Sequence, residues 1–211
     1  MLDLYLIRHA ESEMNNRSDL IGGRTNHTPL SEKGKRQATL LGRRFHDSGV
    51  FFDNFYSSTA RRTVETAEIV IEQLGRSIDE VVQTQILLEL DQGDWEGKPR
   101  IEIYTPEVLQ AINSDNWNFT PPNGESQRTV EERMLGWVDK NLISRYKTDS
   151  TVGVFTHGVS VKCLLRGIMG FSPKITYKIT LDNTSITRLK YSETGWHLIA
   201  INDISHLFGR E

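Results

Sequence analysis

The first stretch of this chain constrains its fold most. Leu2 to Ile7 is an almost unbroken apolar run of strand length, and it leads directly into Arg8 and His9. A strand with one face in water alternates apolar and polar residues. A strand without that alternation is buried on both faces, as in parallel sheets covered by helices on each side. The rest of the sequence meets that demand. Ser31 to Phe45 has helical spacing, with Ala38, Leu41 and Phe45 on one face. Phe51 to Ser57 is short and aromatic-rich, a second strand. Thr59 to Leu74 is helical, with Ala67, Val70, Ile71 and Leu74 on one stripe, and Ser58 stands before it as a natural N-cap. Thr129 to Arg145 is helical and opens with Thr129 and Glu132 at capping-box spacing. Thr151 to Thr156 reads as a strand and Val159 to Met169 as a helix. Ile186 to Tyr191 and Trp196 to Ile201 flank the turn Glu193-Thr194-Gly195, which adds a hairpin and one antiparallel edge strand. The alternation predicts an α/β fold, a three-layer sandwich of a mostly parallel sheet with helices on both faces. The chain has 211 residues and no internal repeat, so a single domain over 1–211 is expected. Pro121-Pro122 marks a surface loop too short to be a domain linker.

Composition excludes more than it assigns. Lys+Arg is 25 against 28 Asp+Glu, a net charge of −3, where a nucleic-acid binder should carry a basic footprint. Cys163 is the one cysteine, so an internal disulfide, a zinc cluster and a Cys-x-x-Cys pair are ruled out. On a helix with Leu164 and Ile168 it reads as a small buried hydrophobe. No basic segment precedes a long apolar stretch near Met1, and the apolar runs are too short to span a membrane. A cytoplasmic protein is expected, with neither nucleic acid nor membrane as partner. Its oligomeric state stays open, a dimer included.

The chemistry lies at strand ends. Arg8-His9-Ala10-Glu11-Ser12 closes the first strand, and Thr156-His157-Gly158 closes the strand from Thr151. In an open parallel sheet, ligands bind outside the carboxyl ends of the strands. A lone histidine is more often a packing residue. Two at matching strand ends, one after arginine and one before glycine, reverse that expectation. Arg61-Arg62 opens the helix after the second strand, and arginine beside a helix N-terminus favours an anion such as phosphate. One of the two arginines is expected simply to be solvated.

Arg8-His9-Ala10-Glu11-Ser12-Glu13-Met14-Asn15 resembles the Arg-His-Gly-Glu-Ser-x-x-Asn signature of the histidine phosphatase superfamily, in its phosphoglycerate-mutase-like branch. Leu30-Ser31-Glu32-Lys33-Gly34 with Gln37-Ala38, and Ser57-Ser58 with Arg62 and Thr66-Ala67, are similar to further motifs of the family. So are Leu88-Glu89 with Gly93-Asp94-Trp95-Glu96-Gly97, Gly124-Glu125-Ser126 with Arg133, and Asn183-Thr184-Ser185-Ile186. They come in the family's order over nearly the whole chain. Ala10 departs from the usual glycine.

The resemblance implies phosphoryl transfer through a phosphohistidine. His9 is then the nucleophile, with one ring nitrogen donating to a backbone carbonyl so that the other faces phosphorus. Arg8, Arg62 and His157 would surround the phosphoryl oxygens, His157 as a cation or donor. Glu89 is the implied general acid, favoured over Asp91, Asp94 and Glu96 by the motif match alone. Asn15 is a neutral donor expected at the pocket wall, and Gly158 follows His157. The loop carrying Gly22, Gly23, Arg24 and His27 contacts substrate in relatives, with Arg24 as open a choice as His27. No metal or cofactor is expected. Residues 98–125 are expected to form a cap over the site, and Trp95 and Trp117 either cover the pocket mouth or pack. His46, His197 and His206 are read as structural.

The same site can serve a mutase or a hydrolase. Phosphoglycerate mutases of this kind carry an extra lysine and an adjacent arginine pair before the second histidine. Between Glu89 and His157 this chain has no such pair. A phosphatase of small phosphomonoesters is therefore expected. Phosphoglycerate mutase and α-ribazole phosphatase are the alternatives, and a non-catalytic phosphate-binding module is disfavoured.

Overall fold

The structure is a computed structural model that describes residues 1–146 and 149–208, so the last residues of the expected domain, 209–211, lie outside the described residues. Its six strands are β1 (Leu2–Arg8), β2 (Asn54–Ser58), β3 (Val81–Thr84), β4 (Ser150–Thr156), β5 (Ile186–Ser192) and β6 (Gly195–Asp203). They form one sheet in the order β3-β2-β4-β1-β5-β6. β4 lies parallel between β1 and β2, and β3 pairs parallel with β2. β5 runs antiparallel to both β1 and β6. The closing hairpin thus gives the expected antiparallel edge, with β6 outermost and β5 the strand that joins it to β1.

The helices are α1 (Glu32–Asp47), α2 (Arg61–Gln73), α3 (Arg100–Ile103), α4 (Pro106–Ser114), α5 (Gln127–Val138) and α6 (Gly158–Met169). β1 shows why two layers of them are needed. Tyr5 and Ile7 pack with Ala38, Leu41 and Phe45 of α1 and Ala67, Val70 and Ile71 of α2. Leu4 and Leu6 pack on the other face with Val130, Met134 and Trp137 of α5 and Val161, Leu164 and Leu165 of α6. Fully burying side chains of this size stabilises by about 1.5–3 kcal/mol each, so neither face can be left bare. β4 makes one exception to bulk. A Cβ on Gly153 would come within 2.7 Å of the Phe55 ring, so glycine lets that ring lie across the strand.

Two helix starts differ from expectation. Ala60, not Ser58, is the N-cap of α2, and it makes no side-chain cap. α5 begins earlier than expected, with Ser126 accepting from Thr129 N at 3.1 Å in place of the Thr129–Glu132 box. It then widens into a π-helical turn over Asp139–Ile143. Among the described residues, no helix is long and apolar enough to cross a membrane.

Candidate active site

Because β1, β4 and β2 are parallel and adjacent, their C-terminal ends bring His9, His157 and Ser58 together. His9 N donates to Thr156 O at 3.0 Å, tying the two strand ends where the histidines begin. The imidazole centroids are 5.2 Å apart, and His9 and His157 are 4% and 0% exposed. His9 Nδ1 lies 2.7 Å from Ala10 O. A carbonyl only accepts, so Nδ1 carries the proton and Nε2 keeps its lone pair. Arg62 Nε–H donates to that Nε2 at 3.2 Å. Burial, then the charges of Arg62 and Arg8, hold His9 well below the usual histidine range, so it is neutral.

Arg62 organises the centre. Besides His9 it reaches His157 Nδ1 at 3.0 Å. It also donates to the carbonyls of Gly23 at 3.1 Å, Arg24 at 2.8 Å and Thr25 at 3.1 Å. Burial lowers its pKa to about 10, so it stays charged at neutral pH. Glu96 holds the same loop from behind, accepting from Arg24 N at 2.6 Å and Thr25 N at 3.0 Å. The peptide dipoles between them therefore point their oxygens at Arg62. Gly23 bends this loop at φ 89°, and a Cβ there would run into the Glu96 carboxylate.

A chain of hydroxyls fixes the His157 tautomer. Thr63 Oγ1 donates to Ala60 O at 2.7 Å and so has no second proton to give. Ser58 Oγ must then donate to Thr63 Oγ1, which leaves Ser58 to accept from His157 Nε2–H at 2.8 Å. His157 Nδ1 is left unprotonated, matching the donor that Arg62 presents to it. His157 is thus a donor toward Ser58 and an acceptor toward the centre. Burial and Arg62 push its pKa well below the usual range, so the expected cation is absent from this state.

Arg8 lies along the start of α6, its Nε 3.5 Å from where a Cβ on Gly158 would stand. One nitrogen donates to Leu181 O, while Nε is buried with no partner. Glu89 also meets α6. Its Oε1 accepts from Leu90 N at 2.9 Å and Ser160 N at 3.0 Å, and its Oε2 from Val159 N at 3.0 Å. The carboxylate thus sits on the free N–H groups of the helix start.

The remaining expected residues divide. Asn15 is joined to the centre through Asn183, whose Nδ2 donates to His9 O at 3.0 Å and Asn15 Oδ1 at 3.3 Å. Gly23 and Arg24 contribute carbonyls. The Arg24 guanidinium is drawn instead to Asp91 and Glu125, each at 3.1 Å. Neither Gly22 nor His27 is hydrogen-bonded to the centre, and His27 is exposed. Arg61 is the solvated arginine of its pair, bonded to Glu65 at 2.7 Å. Trp95 is buried, 5.7 Å from the Phe119 ring, and Trp117 stacks under Arg166, so both pack. The Cys163 thiol is fully buried and pushed up to about 12 by burial. His206 meets Thr184 Oγ1 at 2.9 Å, and His46 is exposed. Ser58, Thr63 and Asn183 are the contributors that motif reading did not assign to the site. The signal for Asn183 was its place in a late motif, whereas Ser58 looked like a cap.

A neutral, oriented imidazole lone pair faces an arginine and a second histidine at the mouth of a parallel sheet. That combination suits the binding and orientation of an anionic group at the carboxyl ends of the strands. The model of the histidine phosphatase superfamily (branch 1) matches residues 4–204, and the chain belongs to that superfamily. A probable phosphoglycerate mutase GpmB of Yersinia enterocolitica is 32% identical over 216 residues, covering 98% of this chain and 95% of that protein. YhfR of Bacillus stearothermophilus is similar in structure, with a TM-score of 0.84 at 30% identity, covering 98% of this chain and 100% of that one. Phosphoserine phosphatase of Entamoeba histolytica in complex with 3-phosphoglyceric acid has a TM-score of 0.83 at 25% identity, covering 99% and 100%.

Proposed function

We propose that this chain is a phosphatase of small phosphomonoesters that works through a phosphohistidine on His9 and needs no metal. The observation that carries the reading is Arg62 spanning His9 Nε2 and His157 Nδ1 at 3.2 and 3.0 Å. A phosphoryl group seated between these nitrogens gives Arg62 and a protonated His157 a common acceptor in place of each other. It also supplies the acceptor that the buried Arg8 Nε lacks. Fixed donors around the equatorial oxygens stabilise the transition state without reorganising.

In the first step His9 Nε2 attacks phosphorus and the ester P–O bond breaks. The leaving alkoxide takes a proton from Glu89. In the second step Glu89 takes a proton from water as its oxygen attacks phosphorus, and the P–N bond breaks to release phosphate and His9. Within Glu89, Oε2 is the oxygen suited to carry the proton, since it accepts only from Val159 N while Oε1 is shared by Leu90 and Ser160. Residues 98–125, with α3 and α4, act as the cap.

Water is the favoured final acceptor because two arginines beside Glu89 are already paired. Arg24 is paired with Asp91 and Glu125, and Arg133 with Glu125 and the Leu88 and Glu89 carbonyls. Neither offers a free guanidinium to hold a phosphoglycerate through a mutase cycle. The test is phosphate release from a panel of monoesters with a chelator present. Wild type should hydrolyse several of them, and His9→Ala should lose about a thousandfold in kcat/KM. Full activity in His9→Ala, or dependence on added metal, would overturn the mechanism. Isomerisation of phosphoglycerate faster than phosphate release would make the chain a mutase.

A further inference from the structure

The tautomer of His9 decides whether Nε2 can attack, and one peptide unit holds that tautomer. His9 Nδ1–H donates to Ala10 O at 2.7 Å. The same peptide carries the Glu11 N–H, which donates to the Gln37 side chain at 2.9 Å. A backbone N–H only donates, so the amide oxygen Oε1 of Gln37 must face it. The bonds run in one direction, from imidazole to peptide to amide, and each polarises the next. A carbonyl whose own peptide N–H is bonded is the stronger acceptor.

The first turns of α1 place Gln37 there. Gly34 and Gln37 are three residues apart, on one face of the helix. A Cβ on Gly34 would run into Glu11 O, so glycine lets the segment after His9 lie directly on α1. Ser31 N donates to that same oxygen at 2.9 Å. From α2, Thr66 Oγ1 accepts from Ala10 N at 3.0 Å. Ala10 is fully buried between these holds. Burial, Arg62 and Arg8 all depress the His9 pKa, and the Ala10 carbonyl is the group that opposes them. Gln37 stands directly behind that carbonyl.

We propose that Gln37 is a positioning residue for the nucleophile: it fixes the Ala10–Glu11 peptide so that the carbonyl keeps the His9 proton on Nδ1 and leaves Nε2 aimed at phosphorus. Gln37 acts through the peptide and not on the substrate. This inference rests on the phosphatase reading and adds to it the side chain that sets the state of its nucleophile.

The experiment compares wild type with Gln37→Met, which keeps the length of the side chain and favours a helix but lacks the amide oxygen. Gln37→Ala repeats the loss with the smallest side chain that favours a helix. Gln37→Glu restores an acceptor. Melting curves confirm that each protein is folded. Three quantities are read: kcat/KM for p-nitrophenyl phosphate, inhibition by inorganic phosphate, and the imidazole nitrogen shifts of His9 by NMR. Gln37→Met should lose about tenfold in kcat/KM, the lower end of what removing the partner behind a metal-bound imidazole costs. Phosphate should still inhibit within about twofold of wild type, because Arg8, Arg62 and His157 are untouched. The His9 shifts should move toward a mixture of tautomers, and Gln37→Glu should return both activity, to within about threefold, and shifts. A purely structural glutamine would weaken phosphate inhibition along with activity and leave the His9 shifts in place. That result, or kcat/KM within about twofold of wild type in both Gln37→Met and Gln37→Ala, overturns the assignment. The shifts need no turnover, so the two readings fail separately. If wild type releases no phosphate, the phosphatase reading falls, and the shifts still decide whether Gln37 sets the His9 tautomer.

Discussion

Arg62 is 3% exposed and Arg166 2%, and each lies on the helix that follows a parallel strand. Their partners differ in kind. Arg166 donates to the Glu131 carboxylate at 2.7 Å, to Gln127 and Thr176 at 3.1 and 3.0 Å, and stacks on Trp117. Arg62 donates to two imidazole nitrogens and to the carbonyls of Gly23, Arg24 and Thr25, all neutral acceptors. Glu89 and Glu96 act on it only from a distance. Arg166 is a neutralised ion pair that ties α5 and α6 to the 98–125 segment. Arg62 is positive charge held open by dipoles, so its field is available to an arriving anion, the role proposed for it above. Burial alone does not mark a working residue; burial without a counter-ion does.

Removing each charge should separate the two roles. The largest effect on stability belongs to Arg166→Met, which strands Glu131 at 12% side-chain exposure. Breaking a buried pair in this way costs about 3–5 kcal/mol, read as a lower midpoint in urea. Adding Glu131→Gln should recover part of the loss, and activity per folded molecule should fall less than about tenfold. Arg62→Gln should do the reverse. Its amide can still serve some of the loop carbonyls, so unfolding should cost under about 2 kcal/mol. The loss in kcat/KM should be about 10²–10³, the usual effect of removing a donor aimed at transition-state charge. If Arg62→Gln unfolds as readily as Arg166→Met yet keeps its activity per folded molecule, the contrast is wrong.

The same contrast shows what was legible in the sequence. The apolar run of β1 and the alternation behind it gave the layered sheet, because burial on both faces leaves a direct trace in residue type. His9, His157 and Arg62 were legible as residues at strand ends, and their order along the chain carried the family. What escaped depends on contacts between segments far apart. β3 has four residues and pairs with β2 alone, too short a stretch for periodicity to show. Arg166 looks like any surface arginine on a helix until Glu131 and Trp117 are seen around it. Arg24 looked free because Asp91 and Glu125 reach it from other loops. Ser58 satisfied the rule for a helix cap, and the competing partner that claimed it was His157, far along the chain.

That misplaced cap leads to the smallest effect and a sharp test. The order Thr63 to Ala60, Ser58 to Thr63 and His157 to Ser58 has one consistent direction, and it ends by presenting the His157 Nδ1 lone pair to Arg62. Ser58→Ala removes the acceptor for Nε2–H and leaves a buried imidazole donor unpaired. His157 should then sample both tautomers, visible as altered imidazole nitrogen shifts by NMR, and kcat/KM should fall about tenfold, near 1.4 kcal/mol. Thr63→Ala, one link further away, should cost less, because Ser58 can still accept from His157 while its own proton turns elsewhere. A larger loss in Thr63→Ala than in Ser58→Ala, at equal stability, would mean that the hydroxyls act through packing of α2 rather than through His157. The two arginines would then differ in charge balance alone, with no device holding His157 ready beside Arg62.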